Sequence, residues 1–285
     1  MCGIAGILSW QDDKEENILQ RMTDALTHRG PDAFGAWNSG FISLGHRRLS
    51  IQDTSTLANQ PMHDYSGRYV IVFNGEIYNF KKLQKILTEA GYEFKTHSDT
   101  EVILNAWNHW GVDALSHFEG MFAFALWDNY LQELCLARDR FGEKPLYYFP
   151  MQNHGVVFAS ELKGLLEHPH CPKSINPNAI SQFLSLNYIL TEQCILEGVH
   201  KLPPASYMIF KQGKAPYVKQ YWSLAETFRA PKWSLSESEL IEQFNDLFLE
   251  TVKDCLLSDV PLGVFLSGGI DSSAVASTMS KAQNY

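Results

Sequence analysis

The 285-residue sequence is short of positive charge: 23 lysines and arginines stand against 32 aspartates and glutamates, a formal net charge of −9. Nothing resembles the basic stripe that neutralises phosphates, so nucleic acid is not an expected partner. Long apolar runs are also missing. None approaches the ~18 residues of a membrane span, and the apolar start, Ile4 to Leu8, runs straight into QDDKEE and does not read as a secretory signal. Cysteine is scarce: Cys2, Cys135, Cys171, Cys194 and Cys255 are odd in number and none pair at CxxC spacing. That argues against a disulfide framework or a thiolate zinc site and fits a reducing compartment. Of the ten histidines only His168 and His170 lie close in sequence, and HPH reads as a surface turn. No N-x-[ST] sequon, internal repeat or low-complexity tract occurs. These absences place the chain in the cytoplasm, apart from membranes.

What is present is enough apolar residue, 45%, for a full core. Residues 1–10 read as a strand and 15–27 as a helix, with Ile18, Leu19, Met22, Ala25 and Leu26 at helical spacing and HRGPD as its stop. Short strands follow in FGAW, FISLGH and YVIVFNGEIYN, then helices near 80–90 and 100–110. FEGMFAFALWDNYLQELCLARD reads as two strands turning at Asp128 and Asn129. LYYFP, GVVFASE and KLPPASYMIF add more. Many short strands with few helices indicate an α+β or sandwich-like domain over 1–215. Residues 216–233 read as a linker. From 234 the style changes: a long amphipathic helix opens with the capping-box pair Ser236 and Glu239. VPLGVFLSGGIDSSAVASTMS then gives an apolar strand, a glycine turn and a helix, the opening of a βαβ unit.

Three segments carry chemistry. In SGGIDSS, Gly268 and Gly269 let backbone approach an anion at a helix start, Ser267, Ser272 and Ser273 add hydroxyls, and Asp271 is a candidate ligand for magnesium; the plain alternative is a glycine turn. The missing GK[ST] disfavours a Walker loop. In FNGEIYN, Asn74 and Gly75 read either as a hairpin turn or as an oxyanion hole. Arg47 and Arg48 in HRRLSI can clamp a carboxylate, and Glu76 or Asp99 can hold an ammonium, so the set suits the two ends of an amino acid. Cys2 reads as a small buried hydrophobe or, if Met1 is removed, as a nucleophile whose own α-amine takes its proton. RDRFGEKPLYY, taken alone, is assigned no chemistry.

CGIAGI, HRGPD, GHRRLSI, FNGEIYN, SDTEV, GMFAFALWD, RDRFGEKPLYY and VPLGVFLSGGIDSS occur here in one order. In this combination the chain closely resembles the glutamine-dependent asparagine synthetases. The resemblance implies a class II glutamine amidotransferase domain, an αββα sandwich of the N-terminal nucleophile type, followed by the beginning of an α/β parallel-sheet ATP-pyrophosphatase domain over 234–285. It implies that Cys2 hydrolyses glutamine, with Asn74 and Gly75 as oxyanion hole, Arg48 on the carboxylate, Glu76 and Asp99 on the ammonium, and backbone around Leu49, Ser50, Ile51 and Gln52 lining the pocket. It implies that Ser267, Gly268, Gly269, Asp271 and Ser272 bind pyrophosphate, with Leu266 at the adenosine. The substrates expected are glutamine, aspartate and ATP with Mg2+, ammonia displacing AMP from an aspartyl adenylate. The family's second domain continues well past this loop, so the chain as written is expected to support only the glutaminase half. An amidotransferase relative with another acceptor, or a non-catalytic glutamine-binding module, is the alternative. A homodimer is the assembly to test.

Overall fold

The computed structural model describes residues 1–11, 17–190 and 192–282. The first part of the chain lays down β1 (Gly3–Leu8), α1 (Ile18–Asp24), β2 (Ala33–Ser39), β3 (Ile42–Arg48), β4 (Met62–His63), β5 (Tyr69–Ile77), α2 (Phe80–Glu89), α3 (Asp99–Trp110) and α4 (Ala114–His117). It continues with β6 (Gly120–Asp128), β7 (Glu133–Arg138), β8 (Tyr147–Pro150), β9 (Val156–Ala159), α5 (Leu162–Leu166), α6 (Pro177–Leu186), β10 (His200–Lys201), β11 (Ser206–Lys211) and β12 (Lys214–Gln220). Three helices follow: α7 (Leu224–Arg229), α8 (Glu237–Cys255) and α9 (Ile270–Ala282). Two compact units result, Met1–Ser50 with Ser55–Ser223, and Ile51–Thr54 with the chain from Leu224 onward.

The first unit holds two sheets, in strand orders β10-β8-β9-β1-β3-β2 and β12-β11-β7-β6-β5-β4. All their pairings are antiparallel. Strand alternation sorts the side chains into layers. Ile4 and Leu8 of β1, Ile42 and Leu44 of β3, Val70 and Val72 of β5 and Ala123, Ala125 and Trp127 of β6 form the layer between the sheets. The opposite parity of β1 and β9, Ala5, Val157 and Ala159, packs outward on Ile18, Leu19 and Met22 of α1 and Leu165 of α5. Behind the second sheet Trp107 of α3 meets Phe124 of β6 edge to face, centroids 5.9 Å apart. The order helix, sheet, sheet, helix is the expected αββα sandwich.

Four readings of the sequence need correction. The expected linker 216–233 is not one: β12 runs to Gln220 on the sheet edge beside β11, and α7 occupies Leu224–Arg229. Lysines and Pro216 disguise β12, an edge strand with an exposed face. Residues 261–267 form no strand, because none of the described residues offers them a ladder. HPH does form a turn with Pro169 and His170 exposed, but His168 points inward and is 3% exposed. The helix expected over 15–27 is observed as Ile18–Asp24, its forecast start at 15–16 lying outside the described residues. The second unit keeps one reading intact: Ser236 and Glu239 close the capping box of α8.

Candidate active site

The inter-sheet layer turns polar at one end. The antiparallel register sets Ile4 opposite His46 and Leu8 opposite Ile42, so the start of β1 and the finish of β3 share that end. Extending each inward-facing parity by one or two places brings β1 to Cys2, β3 to His46 and Arg48, and β5 to Asn74 and Glu76. The inward-facing positions thus pass from apolar to polar side chains at this end without any change of fold.

Cys2 is half-buried just ahead of β1. Its Sγ lies 3.4 Å from the Leu49 amide, which donates to it, and 3.7 Å from the Leu49 carbonyl. Its own carbonyl accepts from Arg29 Nε at 2.9 Å, while Arg29 Nη1 donates to Glu161 at 2.8 Å. The residue is therefore gripped by backbone on one side and a buried arginine on the other. Burial pushes the thiol pKa up, opposed chiefly by the Leu49 amide. Burial likewise pulls the Met1 α-amine down, and Arg29 and Lys144 pull the same way.

Asn74 is 1% exposed, and neither its Oδ1 nor its Nδ2 has a hydrogen-bond partner among the described residues. Leaving such an amide unsatisfied costs about 1–3 kcal/mol, so the position is expensive unless something binds there. Next to it, Gly75 lies flat against β6: a Cβ would fall 2.3 Å from the Met121 carbonyl oxygen and 2.7 Å from the Phe122 Cα. The direction of the Gly75 N–H follows from its neighbours. Phe73 N donates to Gln60 Oε1 at 2.6 Å and Ile77 N to Asp99 Oδ2 at 3.0 Å, both away from β6. Gly75 has the same parity, and its partner Phe122 spends its own backbone groups on Asp139. The Gly75 N–H therefore points to the outer edge of β5, where β4 reaches only Val70 and Ile71.

Glu76 and Asp99 stand close enough that each alters the other's charge state. Burial raises both; the Asp99 charge adds to the rise at Glu76, and backbone N–H groups of Ile77 and Thr100 restrain it at Asp99. Lys144 faces Glu76 from the RDRFGEK loop. It is 5% exposed, with Nζ 3.3 Å from Met1 Sδ, and burial pulls it below the usual lysine range. The loop that carries it is knotted: fully buried Asp139 accepts from the amides of Phe122, Glu143 and Lys144, and Arg138 donates to the carbonyls of Lys144 and Leu202.

Arg48 is 5% exposed, with Nη1 donating to the Ser55 carbonyl at 2.7 Å and to Asn59 Oδ1 at 2.8 Å. Leu49 meets the thiol, and the Ser50 amide donates to Asp32 at 2.8 Å. Ile51 and Gln52 group instead with the second unit, bonded to Asp259 and Leu257. In that unit Ser267 Oγ and Ser272 Oγ lie 3.0 Å apart, the Gly269 amide approaches Ser267 Oγ at 3.4 Å, and α9 begins at Ile270. Gly268 has φ 82°, and no atom lies within 4 Å of where its Cβ would be. Leu266 is exposed. Hydroxyls, a glycine amide and a 13-residue helix start are a donor set that fits phosphate. Asp271 lies in the first turn of α9, and no group of three His, Cys, Asp or Glu able to hold a metal occurs among the described residues.

A family model described as glutamine amidotransferase domain matches residues 1–222. The chain belongs to this amidotransferase family. A second model, asparagine synthase, matches residues 243–285. The chain is 36% identical over 283 residues to "Asparagine synthetase [glutamine-hydrolyzing] 3" of Bacillus subtilis, covering 96% of this chain and 44% of that protein. It is 36% identical over 297 residues to "Amidase chry2" of Gibberella zeae, covering 98% and 43%. It thus spans less than half the length of these relatives. In fold it is similar to a glutamine phosphoribosylpyrophosphate amidotransferase from B. subtilis, TM-score 0.57 at 20% identity over 78% of this chain and 49% of that one. No described helix is long and apolar enough to cross a membrane.

Within this amidotransferase region, residue-by-residue reading missed Arg29, Lys144, His46 and Gln60. HRGPD and RDRFGEK were legible as motifs. As a helix stop and a segment with no chemistry of its own, they give no sign that Arg29 and Lys144 turn inward.

Proposed function

We propose that the first unit hydrolyses glutamine to glutamate and ammonia, with Cys2 as nucleophile. The buried, unpartnered Asn74 amide beside the outward-facing Gly75 N–H carries this reading. The Cys2 thiol adds through sulfur to the side-chain amide carbon of glutamine while its proton passes to the α-amine that Met1 removal uncovers. The oxyanion forms between Asn74 Nδ2 and the Gly75 N–H. Collapse expels ammonia, which takes the proton from the α-amine, and leaves a thioester. Water, deprotonated by the same amine, then releases glutamate and restores the thiol. Arg48 receives the α-carboxylate and Glu76 with Asp99 the α-ammonium. An arriving ammonium favours ionisation of two carboxylates whose burial otherwise resists it.

For the whole protein we propose glutamine-hydrolysing asparagine synthase activity. The ammonia converts ATP-activated aspartate to asparagine, and the Ser267, Gly268, Gly269, Asp271, Ser272 loop holds pyrophosphate. The serine hydroxyls and the start of α9 support the loop assignment; Leu266 is assigned to the adenosine and Asp271 to Mg2+. Five thiols without a disulfide support a cytoplasmic location. The test is glutamate release from glutamine by the purified chain, beside Cys2→Ala, with intact mass to show whether Met1 has left. Cys2-dependent release that ignores ATP supports the reading; equal release by Cys2→Ala overturns it.

A further inference from the structure

β5 is the strand that presents Asn74 and Gly75, and among the described residues no strand pairs with its outer edge beyond Ile71. An uncovered edge is a poor place to hold an oxyanion donor within a few tenths of an ångström. Side chains take the place of the missing strand. Gln60 Oε1 accepts from the Phe73 amide at 2.6 Å, and His46 Nε2 lies 3.1 Å from the Phe73 carbonyl. Burial holds His46 neutral, its pKa lowered to about 3, so Nε2 carries the proton and donates. Gln60 Nε2 donates onward to Thr100 Oγ1 at 3.3 Å, and Thr100 lies beside Asp99 at the start of α3, which accepts from the Ile77 amide at 3.0 Å. Asn74, Gly75 and Glu76 are therefore bracketed at both ends by one helix terminus. Asn59, directly before Gln60, holds the Arg48 guanidinium at 2.8 Å. Gly35 allows β2 to pass this segment, since a Cβ there would meet the Gln60 carbonyl oxygen at 2.0 Å.

We infer that Asn59 and Gln60 are positioning residues with divided roles: Gln60, with His46, aligns the oxyanion-hole segment of β5, and Asn59 aligns Arg48 for the substrate carboxylate. The division rests on the glutaminase reading above. It has a kinetic signature that a general structural role lacks, because the oxyanion exists only in the transition state whereas the carboxylate is gripped in both states.

The experiment measures kcat and KM for glutamine in Gln60→Met, Gln60→Glu and Asn59→Ala, with backbone hydrogen exchange in each. Gln60→Met is expected to lower kcat by about 10- to 100-fold, somewhat less than outright loss of an oxyanion donor, with KM within about twofold of wild type. Gln60→Glu keeps an acceptor for the Phe73 amide and restores most of kcat. Asn59→Ala raises KM by about tenfold with little change in kcat. The Phe73 amide exchanges faster in Gln60→Met but not in Asn59→Ala, a readout that needs no turnover. Equal changes in kcat and KM in both variants, a Gln60→Glu as poor as Gln60→Met, or unchanged exchange at Phe73 overturns the inference. A wild-type chain without Cys2-dependent glutamate release overturns the glutaminase reading instead, and exchange at Phe73 then still decides whether Gln60 fixes the strand. Should Gln60→Met fail to fold, Gln60→Ala, which also removes the acceptor for the Phe73 amide, carries the same contrast with Asn59→Ala in kcat, KM and exchange at Phe73.

Discussion

The two compact units carry similar apolar patterns and meet opposite fates. In the first, Trp127, Phe158 and Leu44 are essentially inaccessible, and the polar cluster at Cys2 grows out of the inter-sheet layer they help to fill. In the second, Phe265 is 100% exposed, Ile270 89%, and Phe244 and Leu247 of α8 stand in solvent. An apolar run becomes a strand only when a neighbour completes its ladder, and an apolar helix stripe becomes a core only when something covers it. The lesson extends to chemistry. The Ser267–Ser272 loop is shaped by its own hydroxyls, a local matter, whereas the polar cluster at Cys2 needs contacts across β1, β3, β5, α3 and the Lys144 loop.

The sharpest test of that contrast swaps residues between the units. Cys2→Ala should reduce glutamate release by at least about 10⁴-fold, while Ser267→Ala leaves it at the wild-type rate, measured as glutamate formed without ATP. Loss of glutaminase in Ser267→Ala would mean the first unit is not self-sufficient. Asn74→Ala should lower kcat by about 10²- to 10³-fold, with KM largely kept, by steady-state kinetics. In stability, Trp127→Ala should cost about 3–5 kcal/mol in urea unfolding, against under about 0.5 kcal/mol for Leu247→Ala on the exposed face of α8; similar losses at both would erase the distinction.

A smaller effect concerns pH. Glu76 and Asp99 have folded-state pKa values raised by burial. Their contribution is therefore fully present below the ordinary carboxylate range and is lost as pH rises through the raised values. Glu76→Gln should flatten that decline, raising Tm at alkaline pH by a few degrees, roughly what about 1 kcal/mol gives in a domain this size, while weakening glutamine binding. A steeper decline in Glu76→Gln would mean that Lys144 already keeps the pair ionised.

The sandwich was readable because its central strands are short apolar runs bounded by turns, buried on both faces, and its helices α2 and α3 are periodic. The motifs for Cys2, Arg48, Asn74, Gly75, Glu76 and Asp99 named residues that the fold does bring to one end of the layer. What stayed hidden depends on distance along the chain. Arg29 reaches the Cys2 carbonyl from a turn, Lys144 turns inward because Asp139 knots its loop, and Gln60 serves a strand 13 residues away. β12 was missed because an edge strand with lysines looks like a loop, and the strand at 261–267 was expected from apolarity that here finds no ladder.

The uncovered edge of β5 has a further consequence, for solubility. A row of outward N–H and C=O groups invites pairing with another copy of the same strand, the usual start of β-aggregation. Here Gln60 and His46 occupy Phe73 and Asp99 occupies Ile77, so an incoming strand would find at most the short gap around Gly75. That gap is too short to template a second chain, so the Gly75 N–H proposed above as an oxyanion donor stays open without offering a pairing edge.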